Sequence, residues 1–238
     1  MSEFPHVDAT RSRASSTLFS ARWWPSPTAL AFWLVMVVSA GLLAALLWDP
    51  RLATRLVAEG GVLEVTQVSF FLTAGLLSAD QVLRARGEGR ATAPDLMLVA
   101  GFALLVIGET DLDRWVVGTK MAYPRLIASP EVWLPHRLFA VLLVVVAPLA
   151  LGIYAFLRRR ELWAFASQVP RERWGQLYLV GGVIFVVAEL SEGQLNVATP
   201  ARNFFEEYFE FLGAVFGLCG TLERRALLSQ RPPGGSTS

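Results

Sequence analysis

The chain holds a single cysteine, Cys219, and two histidines, His6 and His136. One thiol excludes an intramolecular disulfide and any thiolate zinc or iron–sulfur cluster built from this chain alone. Two imidazoles exclude a three-histidine zinc site. Charge is scarce as well: 17% of the 238 residues are Asp, Glu, Lys or Arg, against about 25% in an average soluble domain. The 21 basic and 20 acidic side chains leave a formal net charge of +1, which excludes nucleic-acid recognition through bulk charge. Gly60-Gly61 and Gly181-Gly182 lack the flanks of a phosphate-binding loop, and no nucleophile elbow is present. The expected cofactor set therefore contains no nucleotide, haem or iron–sulfur cluster.

Apolar length is what the chain has in quantity. Hydrophobic residues make up 54% of it, and the mean hydropathy is +0.46. A bilayer crossing needs about 20 apolar residues in a helix. Six segments approach that length: Ala29 to Trp48, Val62 to Leu83, Leu96 through Ile107, Leu138 to Leu157, Gly175 to Leu195 and Asn203 to Leu222. The expected fold is all-α, a polytopic membrane bundle of about six transmembrane helices. Residues 1–28 form a cytoplasmic tail, 29–225 the six-helix domain and 226–238 a disordered cytoplasmic tail.

The connecting segments set the orientation independently. With the N-terminus inside, 14 of the 21 basic residues fall in the tails and inner loops, among them Arg11, Arg22, Arg84, Arg90, Arg158, Arg159, Arg160, Arg224 and Arg225. The other seven, including Arg51, Arg114, Arg137 and Arg202, fall outside. A two-to-one bias of this sign places both termini in the cytoplasm. The location it implies is a cell inner membrane, crossed several times. No early cleavable signal pattern precedes the first span.

This orientation brings carboxylates from distant segments to one side. Glu64 opens the second span, Glu109 closes the third, Glu189 and Glu192 close the fifth, and Glu206, Glu207 and Glu210 open the sixth. A charged carboxylate deep in a membrane helix costs roughly 2.5–3.5 kcal/mol on insertion scales. Such groups belong in the bundle interior or in a cavity, protonated, paired or bridged by a cation. Glu206 and Glu210 are spaced i,i+4, as are Glu109 and Asp113, while Glu189 and Glu192 are i,i+3, so each pair shares a helix face. His136 opens the fourth span on the same side, and Gln67 lies one turn below Glu64. The candidate metal-ligating set is Glu64, Glu109, Asp113, His136, Glu189, Glu192, Glu206 and Glu210.

Plainer readings compete. Glu64 and Glu207 sit where a helix dipole favours acids, by about 0.3–1 kcal/mol. Asp111 and Asp113 read equally as solvated loop charges, and His136 as an interface residue. Arg114 or Arg202 could neutralise the acids as salt bridges. Cys219 and the phenylalanines at 204, 205, 209 and 211 read as packing residues, and Gly213, Gly217 and Gly220 as a close helix contact.

The order of Gly60-Gly61-Val62-Leu63-Glu64, Ile107-Gly108-Glu109, Leu134-Pro135-His136 and Phe205-Glu206-Glu207-Tyr208-Phe209-Glu210-Phe211-Leu212-Gly213 resembles that of uncharacterised bacterial polytopic membrane proteins. The likeness covers about spans two to six, and Thr110 stands where a second acid is expected. It implies a shared acidic site and brings no activity with it.

Three function classes follow. Hard oxygen ligands suit a divalent cation such as Ca²⁺, Mg²⁺ or Mn²⁺, and intramembrane acids mark ion or proton pathways. The inner halves of the spans hold little charge beyond Asp80 and Asp95, so a one-sided site is expected and not a relay through the bilayer. The alternatives are a membrane-bound regulator or accessory subunit with a membrane or cytoplasmic protein partner, and an enzyme acting on lipid-linked substrates with paired carboxylates. The lipid bilayer is a partner in all three readings, and nucleic acid in none.

Overall fold

The computed structural model describes residues 26–56, 61–110, 127–128, 130, 132–194 and 199–230. Every regular element among them is helical. In chain order they are α1 (Pro27–Trp48), α2 (Pro50–Leu56), α3 (Val62–Gly87), α4 (Ala93–Glu109), α5 (Leu134–Leu157), α6 (Arg159–Gln168), α7 (Arg173–Gln194) and α8 (Thr199–Ser229).

Local chemistry places the boundaries. The Ser26 hydroxyl accepts from the Ala29 amide at 3.2 Å, and Pro27 follows it at a position where no amide proton is needed. Asp49 ends α1, and its Oδ1 accepts from the amides of Arg51 and Leu52, which starts α2. The end of α3 is a Schellman turn. Gly89 takes a φ of +66°, the Arg90 amide reaches Ala85 O at 2.8 Å, and the Gly89 amide reaches Arg86 O at 3.2 Å. Within α5 the residues Leu142–Val146 form a π-helical stretch just before Pro148. A proline ring crowds the preceding turn and lacks a donor, and a widened turn accommodates both defects.

Among the described residues, three helices are long and apolar enough to cross a membrane: α1 over Pro27–Ala45, α3 and α5. The other expected spans also fall on helices, but shorter or more polar ones. The 17-residue α4 is below that length, the apolar part of α7 is Arg173–Ala188, and α8 carries three glutamates in its first half.

Helix α8 is the hub, packed against α7, α3 and α1, with α4 held on α3. Side-chain pairs give the directions. Phe70 meets Phe211 and Asp80 meets Arg225, so α3 and α8 run parallel. Ser39 shares a hydrogen bond with Tyr208 while Ala31 lies against Cys219, and Tyr178 bonds Thr221 while Gly181 lies against Phe216, so α1 and α7 run antiparallel to α8. The α7–α8 crossing is tight because it is lined with glycine. A methyl group on Gly181 would sit 3.0 Å from Phe216 Cβ, and one on Gly220 would sit 3.0 Å from the Trp174 carbonyl oxygen. Gly217 makes room instead for Phe102 of α4. Cys219 is buried in the α1–α8 core beside Val215 and Ala31. By contrast, α5 touches the rest sparsely, through α4 and α6.

The distribution of polarity inverts that of a water-soluble bundle. Gln67, Ser78, Gln81, Asp95, Thr221 and Arg224 are buried, while Val37, Leu47, Leu76, Leu157 and Val183 are each more than 60% exposed. Contiguous apolar surface of this extent points to contact with lipid, and buried polar groups facing one another fit the inside of a membrane bundle.

Candidate functional site

Two polar stations occupy opposite ends of the bundle. The first lies where α3 and α8 begin and α4 ends. Gln67, on the buried face of α3, is fully enclosed, and neither its amide oxygen nor its amide nitrogen reaches a hydrogen-bond partner among the described residues. Its side chain faces Glu210 on the parallel helix α8 without closing a hydrogen bond of ordinary geometry. Glu210 lies within electrostatic reach of Glu109, the last residue of α4, and of Glu207 and Glu206 on its own helix. Glu64 sits one turn before Gln67, half-buried, in the first turn of α3. The parallel course of α3 and α8, with α4 antiparallel beside them, is what gathers these groups.

Four of the eight expected ligands, Glu64, Glu109, Glu206 and Glu210, thus lie at this end of the bundle. His136 stands at the start of α5, its ring edge-on to Trp133 at 5.4 Å, on a helix that packs sparsely against the others. Asp113 lies outside the described residues, as do the side chains of Glu189 and Glu192. So do Arg114 and the side chain of Arg202, the bases expected as neutralising partners. Among the described residues no three His, Cys, Asp or Glu side chains stand close enough together to hold a metal ion. What the end does offer is hard oxygen donors and a carboxamide, in a place where an amide without partners costs about 1–3 kcal/mol.

The second station escaped the sequence reading. Asp95 in the first turn of α4 and Arg224 near the end of α8 form a buried ion pair, 3% and 8% exposed. The Arg224 guanidinium also donates to Gln81 Oε1 at 2.6 Å. It lies over the rings of Phe165 and Trp174, 5.2 and 5.6 Å from their centroids, and the two rings stack on each other at 5.0 Å. Beside it, Asp80 binds Arg225 at 2.9 Å and Arg84 at 3.1 Å. A signal was present: Gln67, Ser78 and Gln81 share one helical face of α3, and Arg224 is a base placed where a span ends. Read alone, Arg224 counted only as a topology marker and Asp95 as an isolated acid.

An apolar block separates the stations. Along α3 the buried face passes from Gln67 through Phe71 and Ala74 to Ser78, about 16 Å at 1.5 Å per residue. Phe71 packs on Phe102 and Phe185 at centroid distances of 6.3 and 6.2 Å. Compared with protein-family models, curated proteins and solved structures, the chain matches none.

Proposed function

We propose that this chain is a six-span membrane protein of the cell inner membrane, with both termini cytoplasmic, whose outer-side carboxylate cluster binds or translocates a cation. The observation that carries this reading is the enclosed amide of Gln67, which faces Glu210 and closes no hydrogen bond of ordinary geometry among the described residues, with Glu109, Glu206 and Glu207 within electrostatic reach of Glu210. Several acids beside a carboxamide make an environment that a divalent cation or a proton would stabilise. The alternating helix directions and the arginine-rich inner segments support the six-span orientation. The aromatic block around Phe71 favours a one-sided binding site over an open path.

Calorimetric titration of the detergent-solubilised protein with Ca²⁺, Mg²⁺ and Mn²⁺, alongside proton-uptake measurements on the same sample, tests the reading. One of these cations binds the wild type, and Glu210→Gln and Glu109→Gln each weaken that binding by at least tenfold. A wild type that takes up none of them, or variants that bind as the wild type does, would refute it.

A second reading, a membrane-bound accessory subunit, draws on a different feature. Only 6% of the apolar stretch of α5 is buried within the chain. A spanning helix so loosely attached leaves a face for another membrane protein. Stoichiometric copurification of a partner that is lost when α5 is deleted supports this reading, and its absence counts against it.

A further inference from the structure

Between α4 and α7 a groove of about 470 Å³ opens on the outer surface of the bundle. Its walls are Gly101 and Leu105 of α4 and Gly182 and Val186 of α7, and its floor includes Gly213 and Gly217 of α8. Every side chain in the walls and floor is apolar apart from the Tyr178 hydroxyl, and that hydroxyl is bonded to Thr221 at 2.9 Å. The lining runs along α4 from Met97 to Leu105, a rise of about 12 Å. That is less than half of a hydrocarbon core about 30 Å thick, so the groove is confined to one leaflet.

One end of the groove carries its own chemistry. Phe165 of α6 and Val169, just after it, close that end. The chain then turns through Arg171 and Arg173, both exposed and neither in an ion pair among the described residues. Helix α6 has the composition of an interfacial element: Arg159 and Arg160 in its first turn, an exposed Trp163, and the partly buried Phe165 turned to the bundle. An apolar slot one leaflet deep, ending at a headgroup-level helix with two unpaired arginines, is complementary to a single amphiphile of negative charge.

We infer that the α4–α7 groove binds an anionic phospholipid, with an acyl chain between Gly101 and Gly182 and the phosphate at Arg171 and Arg173. The site rests on the bundle lying in a bilayer, and it is independent of the carboxylate cluster at the opposite end. A side chain added at Gly182 or at Gly101 meets no atom within 4 Å. Both positions therefore allow the slot to be filled without straining the helices.

Native mass spectrometry of the full chain, delipidated in mild detergent and offered dioleoyl phosphatidylglycerol or dioleoyl phosphatidylcholine, tests the assignment. The wild type retains one phosphatidylglycerol in preference to phosphatidylcholine. Gly182→Phe, and separately Gly101→Leu, lowers retention of both lipids at least tenfold. The double variant Arg171→Gln/Arg173→Gln keeps phosphatidylcholine retention and brings phosphatidylglycerol down to that level. Melting and elution profiles identify any variant that misfolds, and the second filling variant then carries the test. Equal retention of the two lipids by the wild type overturns the charged end of the site. Undiminished retention by both filling variants overturns the slot. A change of oligomeric state in those variants, with lipid retention unchanged, assigns the groove to a second copy of the chain and overturns the proposal.

Discussion

Removing Asp95 should be among the most damaging single changes in the protein. Asp95→Leu keeps side-chain bulk and leaves the Arg224 guanidinium buried with only the Gln81 carbonyl and two aromatic faces to hold it. Breaking a buried pair from one side costs about 3–5 kcal/mol. Two compensations pull the other way. Cation–π contacts contribute about 0.5–2 kcal/mol each, but they exist in both proteins and offset nothing new. Snorkelling of the arginine to the interface would reduce the cost, yet Phe165 and Trp174 cover the guanidinium, so that route is closed without displacing α6. For a chain of this length 1 kcal/mol moves the melting midpoint by about 2–4 °C, so the expected loss is about 6–20 °C. The double variant Asp95→Leu/Arg224→Met should recover most of it, since a well-packed apolar replacement of a buried pair is neutral or stabilising by about 1–4 kcal/mol. Thermal unfolding in detergent, followed through tryptophan fluorescence, reads both. A single variant melting within about 2 °C of the wild type, or a double variant no better than the single, would show that the pair does not hold α4 to α8.

Three further outcomes are expected. Gln67→Leu removes two buried polar atoms without partners, so the cation-free protein gains about 1–3 kcal/mol while cation affinity drops. A fall in stability without added cation would refute the idle amide. Gly220→Val drives a side chain toward the Trp174 carbonyl and separates α7 from α8 at a cost of about 1–3 kcal/mol, visible as a lower melting midpoint. Gly89→Ala forces a β-carbon into a left-handed backbone conformation and costs about 1 kcal/mol, measurable as faster amide exchange in the last turn of α3.

The helices were legible because long apolar runs leave a chain in lipid little choice of backbone. The described residues of all six expected segments fall on α1, α3, α4, α5, α7 and α8. Their lengths were less legible. Glu109 and Thr110 close α4 at 17 residues, and the glutamates of α8 break its apolar content. The short helices α2 and α6 went unread because neither has a run long enough to stand out: α2 rests on a single capping aspartate, and α6 on the amphipathic order of ten residues. At the acidic end, hydropathy and sign of charge were enough to group Glu109 with Glu206 and Glu210. The Asp95–Arg224 pair was invisible for a different reason: its members are 129 residues apart, and only the parallel packing of α3 and α8, with α4 antiparallel to both, makes them neighbours.

The two stations differ in completeness. At the Asp95 end each charge meets a protein partner: Asp95 and Gln81 hold Arg224, and Asp80 holds Arg84 and Arg225. Some polar atoms stay unpartnered even there, namely Ser78 Oγ and Gln81 Nε2. The Gln81 amide is nevertheless fixed through its oxygen, and a buried hydroxyl is a modest burden that a single water can relieve. At the Glu210 end, Gln67 faces Glu210, and neither half of its amide closes a hydrogen bond of ordinary geometry among the described residues. Stability alone would favour an apolar residue at that position, like the buried Leu63 and Phe71 on the same face. On the proposed reading, a bound cation would supply the contact that the Gln67 amide lacks. The Asp95 end reads as a structural clasp, completed by the chain itself. At the Glu210 end the difference lies in the Gln67 amide, whose two polar atoms make no hydrogen bond of ordinary geometry among the described residues.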